Sequence, residues 1–209
     1  MKTCCIFFFI LIIGTSTIIS CQKEVNGLTD GTTTITPADQ KPKVGTIWTY
    51  QYNWFNGPGF PTNSKIITHR AQSEVILGGE KWLKIVDQET DTVVYYLNSR
   101  IDGLYQYTSA NSYLLCKYPA VVNDTYTTFN GGSAEFFTVS GVNDTIATGL
   151  GDIPLSKYEG VKNSDIIDIF WYNKNAWIVW AFQYKRNQLP PSSSVYYLYS
   201  KMYIERIVY

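Results

Sequence analysis

Between Thr46 and Trp54 polar and apolar positions alternate strictly, with Trp48, Tyr50, Tyr52 and Trp54 on one face and Ile47, Thr49, Gln51 and Asn53 on the other. A period of two predicts a β-strand, since successive side chains of an extended chain point to opposite faces. The same pattern returns over Lys65 to Leu77, turns at Gly78-Gly79 and continues over Lys81 to Asp87, a hairpin signal. Further strands are expected over Thr92 to Asn98, Gly103 to Thr108, Tyr113 to Tyr118, Thr125 to Phe129, Glu135 to Val142, and Asp144 to Leu150. Asp165 to Tyr172 and Ala176 to Arg186 flank Asn173-Lys174-Asn175, a three-residue loop in which an asparagine can take the left-handed conformation. Val195 to Val208 completes the series after the break Leu189-Pro190-Pro191-Ser192. Apolar residues seldom recur at three and four, so no helix is expected, and no fixed-period repeat is present. The expected fold is all-β: a single antiparallel meander that curls into a barrel, half-barrel or sandwich to protect its edges.

The first 43 residues break this pattern. Residues 1–20, MKTCCIFFFILIIGTSTIIS, hold one lysine, then an apolar run, then small and polar residues, the order of an export signal. Gly14 to Thr17 interrupt the run after Ile13, leaving it short of the roughly 20 apolar residues a spanning helix needs. Ile18-Ile19-Ser20-Cys21 resembles the bacterial lipobox. That resemblance implies cleavage before Cys21, diacylation of its sulfur and acylation of the new amino group, and several acyl chains anchor a protein stably where one does not. Residues 21–43 then form a lipidated tether: Gln22 to Lys43 is poor in large apolar groups and rich in Thr, Gly, Asp and Pro. A flexible chain of 22 residues reaches about 25 Å. The β domain is expected over 44–209.

Charge and cysteine content remove several function classes. The chain carries 17 basic and 17 acidic residues with no block of either sign, which argues against a nucleic-acid partner. Once Cys4 and Cys5 leave with the signal and Cys21 is acylated, Cys116 is the sole thiol, so no internal disulfide is expected and Cys116 reads as a small buried hydrophobe. The single histidine, His69, lacks a cysteine pair or HExxH motif to share a metal with, and GxSxG, Walker and GxGxxG motifs are absent from the sequence. Asp165 and Asp168 lie three apart, on opposite faces of a strand, and make a poor acid and base. Asp87, Glu89 and Asp91 cluster in a turn that could hold calcium but reads more simply as solvated. Asp91-Thr92-Val93 and Asp144-Thr145-Ile146 resemble a bacterial O-glycosylation acceptor and serve equally well as turn caps. No catalytic residue, metal ligand or cofactor is assigned.

What the composition does carry is aromatic side chains: 6 Trp, 17 Tyr and 10 Phe, 16% of the chain. The ladder Trp48, Tyr50, Tyr52 and Trp54 reads either as core or as a wall for an apolar or glycan ligand. A second cluster around Trp177 and Trp180 has aromatics on both faces of one hairpin, so one face packs on the sheet and the other is available to a ligand or partner.

The order Gly45, Trp48, Tyr50, then Asp102 to Tyr105, then the hairpin Phe170 to Tyr184 resembles a loose class of Gram-negative lipoproteins of unknown function. This resemblance implies a curved antiparallel sheet of the lipoprotein-carrier or lipocalin kind, and it carries over no catalytic residues. The expected function is a non-enzymatic binder of an apolar or glycan ligand, or of another envelope protein, held in the outer membrane by its lipid. A structural or assembly lipoprotein without a small-molecule site is the alternative, and a glycan hydrolase with two facing carboxylates the third. Replacing Cys21 by alanine is expected to move the protein out of the membrane fraction and to remove the mass of the acyl chains, checked by fractionation and intact-mass spectrometry.

Overall fold

The alternation becomes twelve antiparallel strands in a computed structural model, which describes residues 40–57, 60–130, 133–146, 148–162, 166–186 and 196–209. The export signal, Cys21, most of the tether, Asp165 and the Pro190-Pro191 break lie outside the described residues. The strands are β1 (Ile47–Trp54), β2 (Asn63–Leu77), β3 (Glu80–Asp87), β4 (Val93–Arg100), β5 (Gly103–Thr108) and β6 (Asn111–Lys117). They continue as β7 (Thr125–Asn130), β8 (Ser133–Thr145), β9 (Pro154–Lys162), β10 (Ile166–Asn173), β11 (Trp177–Arg186) and β12 (Tyr196–Val208).

Each strand pairs with its sequence neighbour, except that the ladder runs from β1 to β12 rather than from β6 to β7. The first and last strands pair antiparallel, Ile47 with Val208 and Trp54 with Ser200. That places β6 and β7 at the two ends of one sheet, in the order β6-β5-β4-β3-β2-β1-β12-β11-β10-β9-β8-β7. The two ends come back together through side chains. Tyr113 and Phe129 lie 5.0 Å apart, the Tyr126 hydroxyl donates to the Leu115 carbonyl at 2.8 Å, and Lys117 meets Asp124 at 2.9 Å. Of the three shapes left open by the sequence, the sheet is a meander nearly closed into a barrel.

Bulges supply the curvature, because one extra residue on a strand bends it and raises its twist. The register shifts between Thr49 and Tyr50 against β12, between Ala71 and Ser73 against β3, and between Trp171 and Tyr172 against β11. Strand β8 shifts twice against β9, around Gly141, and Asn143 there takes a φ of 59°. This corrects the sequence expectation of two strands, Glu135 to Val142 and Asp144 to Leu150. The Gly-Val-Asn-Asp stretch that reads as a turn is a double bulge inside one strand ending at Thr145.

Strand β9 was not expected at all, because Pro154-Leu-Ser-Lys-Tyr-Glu-Gly-Val-Lys mixes a proline, a glycine and three charges. Proline is tolerated there as the first strand residue, where its missing N–H costs no interior ladder bond. Leu155 and Tyr158 supply the buried anchors, at 1% and 0% exposure. Gly160 is needed because the Phe137 ring lies over its backbone, where a Cβ would meet Cε1 and Cζ.

The interior is filled mostly by rings. An eight-stranded barrel is just wide enough for ordinary side chains to fill, and twelve strands enclose more. Trp48, Trp82, Tyr158 and Tyr172 are the largest side chains buried to 2% exposure or less. Tyr158 stacks on Phe170 at 4.9 Å, and Phe137 meets Phe170 edge-on at 5.2 Å. Cys116 is fully buried among them as a free thiol, and burial pushes its pKa well up, so it packs as the small hydrophobe the sequence suggested. Gly160→Ala is expected to destabilise the fold by about 1–3 kcal/mol through overpacking against Phe137. In the same urea titration Ile76→Thr, at a position 64% exposed, should stay within about 0.5 kcal/mol of the parent.

Candidate functional site

Aromatic filling leaves a cavity of about 260 Å³ inside the barrel, just below the common range of roughly 300–1,000 Å³ for ligand pockets. Strand β1 builds one wall. Its period of two sends Trp48, Tyr50 and Tyr52 to the interior, and all three line the cavity. Trp48 and Tyr50 are 2% and 7% exposed, while Tyr52 is half-buried. Trp54, next on the same face, stacks on Tyr52 at 4.9 Å and does not line the cavity.

Two hydrogen bonds fix the deep end of this wall. Trp48 donates its Nε1–H to the Ala176 carbonyl at 3.1 Å, and the Tyr50 hydroxyl donates to the Ile178 carbonyl at 3.2 Å. Both reach past β12, Trp48 to the turn before β11 and Tyr50 to β11 itself. Trp177 sits between these acceptors, stacked on Trp48 with centroids 5.0 Å apart and planes 18° from parallel. Its φ is 68°, a left-handed conformation that is uncommon for a bulky residue.

The sequence expectation placed that conformation on an asparagine of the Asn173-Lys174-Asn175 loop. Instead the Asn173 carboxamide accepts from the amides of Asn175 and Ala176 at 2.8 and 3.1 Å, closing the loop without it. The unusual backbone falls one residue into the strand, where the stack on Trp48 holds it. Trp177 is 4% exposed, lines the cavity, and its indole N–H has no acceptor among the described residues.

Polar side chains interrupt the aromatic wall at defined places. Strand β2 points His69 inward between Tyr50 and Tyr95, at 5.6 and 6.1 Å. Burial lowers the His69 pKa below its ordinary 6.5, against an opposing pull from Asp87, so the imidazole is neutral at pH 7. Asp168 on β10 accepts from Gln183 on β11 at 3.0 Å, and both line the cavity. The Tyr52 hydroxyl is pushed up to about 12 by burial first and then by the neighbouring Tyr95 and Asp168. Glu135 on β8, only 3% exposed, is the second carboxylate in the lining.

Sequence reading weighed Asp168 only as a partner for Asp165 and passed over Glu135, although the signal for both was present. Glu135 is in phase with Phe137 and Val139, and Asp168 with Phe170 and Tyr172; these partners are buried to between 0% and 6% exposure. An acid in phase with buried aromatics points into the barrel.

Trp180, by contrast, faces outward. It forms a patch with Trp171 at 5.8 Å and Phe182 at 5.4 Å, with the Lys201 ammonium 5.2 Å from its ring centroid. The hairpin β10–β11 thus carries rings on both faces. Nor do the acids of the Asp87 turn form an open cluster. Asp87 accepts from the amides of Glu89 and Thr90, Glu89 pairs with Lys65 at 3.2 Å, and Asp91 pairs with Arg70 at 3.2 Å.

The fold and cavity define a class: a nearly closed, twelve-stranded antiparallel barrel with an aromatic-walled interior. No protein-family model and no curated protein matches the chain. Among solved structures it is similar to a candidate lipoprotein from Parabacteroides distasonis, at 12% identity and a TM-score of 0.45, over 81% of this chain and 97% of that one. It is similar also to a candidate exported protein with a YmcC-like fold from Bacteroides fragilis, at 16% identity and a TM-score of 0.40, over 81% and 98%. Both likenesses are loose, and the reading of the cavity rests on the chain's own residues.

The His69 environment makes a pH prediction. With its folded pKa below 6.5, the unfolded chain binds the proton more readily, so His69's contribution to stability is complete above pH 6.5 and is lost as pH falls through the folded pKa. Urea titrations at pH 7.5 and pH 5 are expected to show a smaller loss of stability on acidification for His69→Gln than for the parent.

Proposed function

We propose that the protein is a non-enzymatic binder, anchored in the outer membrane through acylated Cys21, that holds a small apolar ligand inside its barrel. One observation carries the reading: the aromatic side chains of β1 and β11 meet across the interior yet leave a cavity of about 260 Å³ walled by Trp48, Tyr50, Tyr52 and Trp177. A solid core would have favoured a structural or assembly role. Aromatic faces offer an apolar ligand dispersion contacts and relief from water, and His69, Gln183 and Trp177 offer polar contacts that orient it.

A second reading, glycan hydrolysis, is favoured by a specific observation: Glu135 and Asp168 line the same cavity. Two carboxylates at suitable separation are what glycoside hydrolysis needs. Against it stands the size and apolar lining of the cavity, which suits a compact ligand better than a polymer chain.

Native mass spectrometry of the full acylated protein, purified from its own envelope in mild detergent, is expected to show a fraction carrying a discrete small-molecule mass that Tyr50→Ala and Trp177→Ala variants lose. A homogeneous ligand-free mass in freshly purified protein would count against the binder. Release of 4-nitrophenol from aryl glycosides, abolished by Glu135→Gln, would establish the hydrolase instead.

A further inference from the structure

The end of the barrel where the chain enters β1 gathers charge that the sequence scatters. Lys41 and Lys43 precede β1, Lys81 lies at the start of β3, and Lys174 sits in the β10–β11 turn. All four line a second pocket, of about 250 Å³, that shares Leu97 and Trp177 with the barrel cavity. Four of the 17 basic residues of a neutral chain thus meet in one place. The acids there do not balance them. Glu74 is the one carboxylate in the lining and pairs with Lys81 at 3.5 Å, while Glu80, beside Lys81 in sequence, pairs with Arg100 at 2.5 Å. Lys41, Lys43 and Lys174 keep exposed ammonium groups with no carboxylate partner among the described residues. The neutral polar groups of the lining are partly engaged already: Asn98 donates to Glu80 at 3.4 Å, and the Trp82 indole N–H donates to the Leu77 carbonyl at 3.0 Å. Recognition in this pocket therefore falls to the three ammonium groups.

We propose that this pocket is an anion site that takes a phosphate group, supplied by the headgroup of an anionic phospholipid in the membrane that holds Cys21. Like charges around one pocket repel, and an anion among them turns that repulsion into attraction. Ammonium groups on long side chains suit phosphate oxygens, to which they donate charge-assisted hydrogen bonds. Position points to the lipid as the source. Lys41 and Lys43 are the residues at which the chain from Cys21 reaches the barrel, and a flexible chain of that length reaches about 25 Å. This end of the barrel is thus held near the lipid surface, where basic groups gain from anionic headgroups. For that source the inference rests on the anchored reading above; it does not depend on a ligand in the barrel cavity. Headgroup contact here would fix which end of the barrel faces the lipid, a restraint that the acyl chains alone do not provide.

The test uses the full acylated protein in vesicles of equal phosphatidylglycerol and phosphatidylcholine, released in a neutral detergent for native mass spectrometry. Adducts of phosphatidylglycerol are expected to exceed those of phosphatidylcholine at least about ten-fold. The double variant Lys43→Gln, Lys174→Gln is expected to bring that ratio close to one. Lys65→Gln with Lys201→Gln removes the same charge from lysines that do not line the pocket, and is expected to keep it. Near-UV circular dichroism checks that both variants are folded. Calorimetry with inorganic phosphate separates the two sources: phosphate binding that the pocket variant loses, beside an adduct ratio of one, overturns the lipid source and leaves a site for soluble phosphate. A ratio of one without phosphate binding, or a ratio that survives loss of Lys43 and Lys174, overturns the site. A lipid held in the barrel cavity instead would leave adducts that ignore the lysines but are lost in Tyr50→Ala, so the failure of this inference is distinguishable from that of the binder reading.

Discussion

The Trp48–Trp177 stack is the contact on which the rest of the structure depends. A sheet of twelve strands encloses more space than aliphatic side chains of ordinary size can fill, so the interior needs large rings that reach from one wall to the other. Trp48 does this from β1, and its indole N–H secures the Ala176 carbonyl in the turn just before β11. Trp177 answers from β11 with a left-handed backbone that turns its ring onto Trp48. Strain of this kind costs on the order of 1–3 kcal/mol and persists only where surrounding contacts over-determine it. Here the contacts are the stack itself, the adjacent Tyr50 hydroxyl on Ile178, and the Asn173 carboxamide that closes the loop.

Closure of the barrel follows from a different economy. Strands β6 and β7 end the hydrogen-bonded sheet, and an exposed edge of that kind invites pairing with other chains. Instead of a ladder, the two edges are joined by the Tyr126 hydroxyl, the Tyr113–Phe129 rings and the Lys117–Asp124 pair. Tyr158 adds a tie from β9, its hydroxyl donating to the Lys117 carbonyl. Burial raises the Tyr126 and Tyr158 hydroxyls far above their ordinary range, so both remain protonated donors at any physiological pH. The aromatic excess that looked like a binding signal in the sequence is thus used twice for architecture, in the core and at the seam, before any ring is left to face a ligand.

What remains for function is a lining in which polar groups occur in phase with buried ones. Asp168, Gln183 and His69 come from three strands and meet only because β2, β10 and β11 curl around one interior. Burying a carboxylate is costly unless its surroundings compensate, which makes Glu135 and Asp168 informative in a way that the solvated acids of the Asp87 turn are not. The ring patch at Trp180, with Lys201 and Lys157 beside it, shares the hairpin with the cavity and meets its lining at Phe182.

The sequence by itself determined that the domain is an antiparallel meander, since strand periodicity, turn residues and the placement of most boundaries are local properties. It also marked Trp48, Tyr50 and Tyr52 as one face, whereas the phase of Glu135 and Asp168 with buried positions was present in it and went unread. Where it misled, the cause was likewise local: Asn143 has the chemistry of a turn but sits in a bulge, and β9 gains its strand character from Phe137 and Phe170 rather than from its own residues. Tertiary structure alone decided that β1 pairs with β12, that Trp177 rather than an asparagine takes the left-handed backbone, and that two acids 33 positions apart share one cavity. Pairing, strain and shared cavities depend on which distant surfaces meet, and alternation along a strand says which way a side chain points without saying what it will face.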